Sequence, residues 1–441
     1  MATRTKGNES ETYKPGVPGR LIGGIKHYIS DIRRFSRNVR LYLLGSALMG
    51  LNFQVFLVLF NLYLKELGYP EGDIGQFISA RAVGMTMVAI PAAILLGRLR
   101  LKPFLLTSCV LLAIFSFVMV TYPVYHIMLM FAILAGMSFA IFRVAGGPFF
   151  MRNSTKVERT HVFSFSFGMM LLAGMIGSVG SGELAAAIGD YYGDIVLGYK
   201  YALYIGIAVA LLALAPFALI EAARPSKDEN RIRLNREQLR RRGKFYFKIM
   251  LANLIIGSGA GLVIPFLTLY FRDRFGLPPD AIGKYYALVH FSMLAGTLIG
   301  PVLARRFGLV RTVVMTQLAS IPFMLILSYS YILPLSVAAF VVRGGLMNLG
   351  VPITNNLGME LAEENEQGLA NALLMIAWTG SWMFSSVIGG HLIEAYGYTV
   401  AMNITVTLYV TSSIVFYSFF RKAEVHSEKE HAWVIVRENV I

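Results

Sequence analysis

Twelve apolar stretches constrain this chain more than any other feature. They run near 41–64, 75–97, 103–122, 126–151, 162–188, 200–220, 246–271, 282–304, 311–331, 333–357, 369–393 and 399–420. As a helix rising 1.5 Å per residue, a run of about 20–27 residues crosses a hydrocarbon core of ~30 Å. A soluble enzyme with a large core would not divide its apolar residues into separate membrane-length runs. The 56% hydrophobic content and mean hydropathy of +0.60 exceed the roughly 45–50% apolar share of soluble domains. The expected fold class is therefore an all-α membrane protein. Its expected parts are a tail over 1–40, six helices over 41–220, a charged link over 221–244, six more helices over 245–420 and a second tail over 421–441.

The two halves superimpose in sequence at a constant offset of 208 positions. Gly68 and Pro70 return as Gly276 and Pro278, and Ile74-Gly75 as Ile282-Gly283. Gly136 returns as Gly344, Met151 as Met359, Glu158 as Glu366 and Gly182 as Gly390. Six helices used twice is how secondary transporters place a site between two repeats, where it can open to either side. Twelve transmembrane helices in two pseudo-symmetric six-helix bundles are expected.

A net charge of +15 would suggest nucleic acid in a soluble protein. Here the basic residues crowd the amino-terminal tail (Arg33, Arg34, Arg37, Arg40), the second loop (Arg98, Arg100, Lys102), the fourth (Arg152, Lys156, Arg159), the middle link and the eighth loop (Arg305, Arg306, Arg311). All of these fall on one side if both termini are cytoplasmic, which satisfies the positive-inside rule in both halves. The surplus is read as topology rather than nucleic-acid binding, and the bilayer as the partner. The expected location is the plasma membrane, as in a bacterial inner membrane. The lone Cys109 lies within the third span and leaves no disulfide framework or metal cluster.

Twelve spans, a duplicated half, a basic central link and the loops 148–160 and 359–368 together resemble the major facilitator superfamily over residues 38–421. The resemblance implies helices 1, 4, 7 and 10 around a central cavity, helices 2, 5, 8 and 11 at the bundle interface, and helices 3, 6, 9 and 12 facing lipid. The family's signature between helices 2 and 3 is degraded. Its first Gly is Ala93 and its Asp is Gly97, while Arg98, Arg100 and Lys102 keep the basic character; the second copy, 300–308, also lacks the acid.

Charged groups at mid-bilayer cost roughly 2.5–3.5 kcal/mol on insertion scales and need a partner or a task. Arg143 and Arg343 fall on opposite cavity-lining helices, where they either draw in an anionic solute or bond loop carbonyls to shape a gate. Gln54 and Asn61 are seven apart on helix 1 with Asn52 nearby, and Asn348 and Asn355 repeat that spacing on helix 10. These amides are candidates for substrate contact or for interhelical bonding. Trp378 and Trp382 are a candidate aromatic wall, or ordinary packing. Glu183 and His391 occupy equivalent repeat positions, and His391 and Glu394 share a helix face. The implied packing of helix 2 on 11 and helix 5 on 8 places Arg81 near His391 and Glu394, and Glu183 near His290. These five residues are candidates for an outer gate or for proton exchange, with interhelical bonding as the alternative.

No Gly-rich phosphate loop precedes a Lys-Ser/Thr pair, so neither an enzyme nor an ATP-driven pump is expected. The expected function is secondary active transport of a small organic anion or amphiphile by a monomer, coupled to protons and without a cofactor. Alternatives are a multidrug or lipid-like exporter and, in another class, a membrane receptor or scaffold that does not transport.

Overall fold

The computed structural model describes residues 35–221, 243–361, 367–421, 424–426 and 433–435. The tail before residue 35, the link over 222–242, the segment containing Glu366 and most of the second tail lie outside the described residues. Twelve helices are long and apolar enough to span a membrane. They are α1 Arg37–Glu66, α2 Glu71–Arg98, α3 Leu101–Thr121, α4 Tyr125–Asn153, α5 Lys156–Tyr192, α6 Ile195–Ala218, α7 Gly243–Phe275, α8 Pro279–Phe307, α9 Leu309–Tyr329, α10 Leu333–Leu361, α11 Gln367–Tyr396 and α12 Tyr398–Phe420. A small antiparallel pair, β1 Glu424–His426 with β2 Trp433–Ile435, follows α12. Below, the tail side is the face where α1 begins and α12 ends, and the far side is the opposite face.

The repeat sets the turns. Gly68 (φ +90°) and Gly276 (φ +64°) stand in the left-handed region after α1 and α7, a conformation that other residues reach only with strain. Pro70 and Pro278 then serve as N-caps at φ −69° and −73°, close to the value their rings impose. One feature is not repeated. α1 is continuous, whereas α7 breaks into a 3₁₀ turn at Ile264–Phe266, because Pro265 has no N–H to donate to the helical ladder.

α2 packs on α11 and α5 on α8, and these two contacts join the bundles. Exposed apolar side chains such as Val110, Ile114 and Phe117 of α3, Leu211 and Leu212 of α6, Met315 and Leu318 of α9 and Ile404 and Ile414 of α12 mark a lipid-facing rim. Exposed apolar side chains also occur on the helices that join the bundles, as Met87 of α2, Ile176 of α5, Leu298 of α8 and Phe384 of α11 do, so outward faces are not confined to four helices. Cys109 is fully buried beside the Met49 sulfur, a packing position.

Candidate functional site

The bundles meet in their far halves through a quartet of backbone contacts related by the repeat. A Cβ at Gly75 would fall on the carbonyl oxygen of Ser386, and one at Gly283 on that of Ser178. Likewise Gly390 abuts the Glu71 carbonyl and Gly182 the Pro279 carbonyl. Every position in this set has its partner 208 residues away, Ser178 with Ser386 and Glu71 with Pro279 included. Glycine is required at these crossings because the facing atoms are backbone and cannot yield. Such glycines let helices approach closely, which is the main source of helix association within lipid.

Polar bonds reinforce the seal. The Asn61 amide donates to the Pro265 carbonyl over 2.7 Å, exploiting the irregular turn in α7. Arg272 of α7 grips Glu66 of α1 through Nε (3.0 Å) and Nη2 (2.6 Å). The Glu394 carboxylate of α11 accepts the Gly72 N–H over 3.1 Å. The N-cap of α2 is Pro70, which offers no side-chain cap, so Glu394 caps the positive end of this helix from the other bundle. Lys284 pairs with Glu183 at 2.9 Å, Ser79 donates to the Met383 carbonyl, and Thr86 meets Thr379 at 3.3 Å. These bonds between the bundles lie at mid-depth or towards the far side.

Two expected pairings are corrected. Arg81 does not reach His391 or Glu394. Gly72, Gly75, Ser79 and Thr86 form the stripe of α2 that faces α11, and Arg81, two residues past Ser79, points away from it towards α1 and α4. His391 and Glu394 instead lie together at 3.7 Å. Glu183 is paired with Lys284 rather than His290. His290 faces Gly174, nine residues and about 13 Å further along α5, and its Nδ1 lies 2.8 Å from the Tyr286 carbonyl.

The tail halves part. Along α1 the far segment around 54–64 is almost wholly buried, while Leu44 is 52% exposed and Ala47, Leu48 and Leu51 are half-buried. α7 shows the same gradient, buried over 256–271 except for Ser258 and Ile264, with Phe247 and Leu254 exposed. Arg143 presents an accessible side chain on α4 against the Met170 sulfur of α5. Arg343 is 3% exposed and donates to the Tyr409 hydroxyl at 2.8 Å, so its charge is turned into the second bundle. Asn52 donates to the Gly206 carbonyl and Gln54 to the Ser178 hydroxyl. Both amides are thereby engaged inside the first bundle. Asn348 is half-buried, and the side chain of Asn355 lies outside the described residues. Trp378 and Trp382 stand with ring centres 6.2 Å apart, and the Trp382 indole N–H is buried without a partner.

Sequence reading missed Glu66, Arg272 and Lys284 as bundle-linking residues. A signal existed for the first two: opposite charges close α1 and α7, the helices assigned to the cavity. Among the described residues no cluster of His, Cys, Asp or Glu has the arrangement of a metal site.

Comparison with known proteins places this geometry. The sequence profile of the Major Facilitator Superfamily matches residues 42–378 and 249–438. Comparison with curated proteins finds no match. A bacterial homologue of the human lysosomal transporter Spinster, solved inward-facing and unoccupied, superimposes with a TM-score of 0.71 at 13% identity, over 89% of this chain and 96% of that one. The nucleoside transporter NupG gives 0.70 at 13% identity, over 87% and 99%. A D-xylose-proton symporter gives 0.71 at 15% identity, over 89% and 98%. At these identities the likeness establishes the fold alone.

Proposed function

This chain belongs to the Major Facilitator Superfamily and is an integral membrane transporter, and we propose that it works by secondary active transport with alternating access. The observation that carries the reading is the one-sided seal. Repeat-related contacts close the far halves, while the tail halves of α1 and α7 stand apart around Arg143. A rocking motion of one bundle against the other would exchange this arrangement for its mirror. With both termini cytoplasmic, as the basic loops favour, the conformation described is open to the cytoplasm.

The substrate class we infer is a small organic anion or amphiphile. Arg81, Arg143 and Arg343 stand at intermediate depth, whereas the acids of the described spans sit near helix ends or in the far third, as Glu66, Glu71, Asp73, Glu183, Asp273, Asp280 and Glu394 do. Arg143 is the accessible one of the three, and a cation facing a low-dielectric cleft concentrates anions there. We infer proton coupling at the His391–Glu394 pair, because these two ionisable side chains lie together at the bundle boundary and Glu394 bonds the Gly72 N–H across it.

Two measurements test the reading. Glu183→Cys and Lys284→Cys, bridged by a short reducible crosslinker, should lock the far side and stop uptake of organic anions into proteoliposomes. Reduction should restore uptake, and the native Cys109 is too buried to interfere. Flux that ignores the crosslink would overturn alternating access at this seam. Absence of flux across a broad solute panel would favour a receptor. Impermeant reagents should label Tyr191→Cys from outside and Arg421→Cys from inside; labelling of both from one side would reject the topology.

A further inference from the structure

We propose that Arg81 is the anion-binding group of the central cavity and that its ligand is a flat, apolar carboxylate. The proposal rests on the reading of the chain as a transporter with a cavity between its bundles. Arg81 sits ten residues into α2, about 15 Å from the far end of that helix, and so near the middle of a ~30 Å hydrocarbon core. Its guanidinium carbon lies 5.1 Å from the centre of the Phe53 ring on α1 and 5.4 Å from that of Phe139 on α4. The two rings stack on each other at 5.0 Å and 11°. The three centres form a nearly equilateral triangle, so the guanidinium is within cation–π reach of both rings at once.

What distinguishes Arg81 from the other two mid-depth arginines, among the described residues, is that its contacts are two aromatic rings and no hydrogen-bond acceptor. Arg343 has the Tyr409 hydroxyl, and Arg143 has open surface and the Met170 sulfur. Among the described residues Arg81 makes no hydrogen bond and no ion pair, and its Nε is buried without a partner, as is that of Arg343. A planar cation held in lipid-depth protein with its N–H fork idle is an unpaid desolvation cost unless something else occupies the fork. Carboxylate geometry matches that fork with two parallel bonds. The Phe53–Phe139 stack beside it offers an apolar wall for a flat ligand body. Both parts of the ligand, anionic head and apolar plane, are specified by the same three side chains.

The test uses the full-length purified protein, with benzoate as the probe and benzamide as its uncharged isostere. Ligand binding raises the unfolding midpoint by mass action. Benzoate should raise it saturably and benzamide should not. Arg81→Gln should weaken benzoate at least tenfold, and Arg81→Lys should fall between, since lysine keeps the charge and loses the fork. If the Gln variant does not fold, 4-bromobenzoate bound to the wild-type protein should place its bromine beside Phe53 and Phe139 in a diffraction experiment. Equal stabilisation of wild type and Arg81→Gln, or a bromine elsewhere, overturns the proposal. Nitrate stabilising as strongly as benzoate overturns the aromatic carboxylate class. No response of the wild type to benzoate overturns the whole assignment, but leaves the transporter reading intact if any solute shows flux in proteoliposomes.

Discussion

The α2–α11 and α5–α8 crossings occupy equivalent positions in the repeat, and they agree in backbone but not in side chains. Both are made by glycines against carbonyls, Gly75 on Ser386 and Gly390 on Glu71 in one, Gly283 on Ser178 and Gly182 on Pro279 in the other. Their polar bonds share nothing. The first crossing has the Glu394 carboxylate on the Gly72 N–H and two hydroxyl contacts. The second has an exposed Lys284–Glu183 pair and a histidine against Gly174. Close approach of two helices is a steric demand with one solution, absence of a side chain, so both copies retain it. A polar bond has many substitutes, so the copies have diverged there. The teaching is that the shape of the seal is symmetric while its strength and its response to ligand or proton are not.

The comparison breaks most decisively at the glycines. Gly75→Ala and Gly283→Ala each drive a methyl into a backbone carbonyl, and forcing extra volume into a packed contact costs about 1–3 kcal/mol. At 1.4 kcal/mol per tenfold, either change should move the closed-to-open ratio of the far side by roughly 5- to 150-fold. Spin labels at the exposed Tyr191 and Tyr396 positions would report it as a shift to longer distances in double electron–electron resonance. Similar effects from the two variants support a symmetric steric seam; a shift from only one would show that a single crossing carries the closure.

Next in size is the Glu66–Arg272 pair, which lies on neither crossing and ties α1 to α7 directly. Its side chains are 26% and 28% exposed, so screening limits it to about 1 kcal/mol despite charge-assisted geometry. Glu66→Gln and Arg272→Gln should each open the far side several-fold, and the double variant should add little, because coupled residues are not additive. Additive shifts in the same spin-label distances would mean that each charge acts through other partners, such as Asp273, which bonds Arg272 at 2.8 Å.

How far the sequence could be read follows from the same distinction. The spans, the duplication and the glycine register were visible because they are demands on the backbone, repeated at 208 residues. Ser178 and Ser386 were open to the same reading and passed over. The orientation of Arg81 was not legible. It depends on the phase of α2 between α4 and α11, and one position of phase turns a side chain by about 100°. Nor did the sequence distinguish Gln54 and Asn61. They share a face by spacing, yet Gln54 bonds Ser178 within its own bundle, whereas Asn61 reaches Pro265 across the boundary. Glu66 and Arg272 were hidden for another reason, since charges at helix ends are ordinarily solvated.

Glu394 offers a smaller effect that tests asymmetry directly. Glu394→Gln keeps an oxygen for the Gly72 N–H but removes the negative charge from the α2 terminus, an interaction worth about 0.3–1 kcal/mol. A two- to fivefold opening of the far side is expected. The equivalent position in the first half is Ala186, so no matching variant exists at the start of α8. If protonation of Glu394 couples ions to transport, the wild-type spin-label distance should change with pH and that of Glu394→Gln should not. A pH response that survives the substitution would move the coupling site elsewhere.

The smallest effect is expected at the Lys284–Glu183 pair, although it is the only ion pair across the α5–α8 crossing among the described residues. Both side chains are 52% exposed, and Lys284 also has Asp280 at 3.1 Å. Water and the second acid would compensate for the loss of Glu183, so Glu183→Gln should leave the distance distribution unchanged within error. Lys284→Gln should behave alike, because the crossing beneath is held by Gly182 and Gly283 against backbone. A clear opening in either variant would show that this crossing depends on charge where its twin depends on a helix cap. The symmetry of the glycines would then be a folding requirement only, with no share in holding the far side closed.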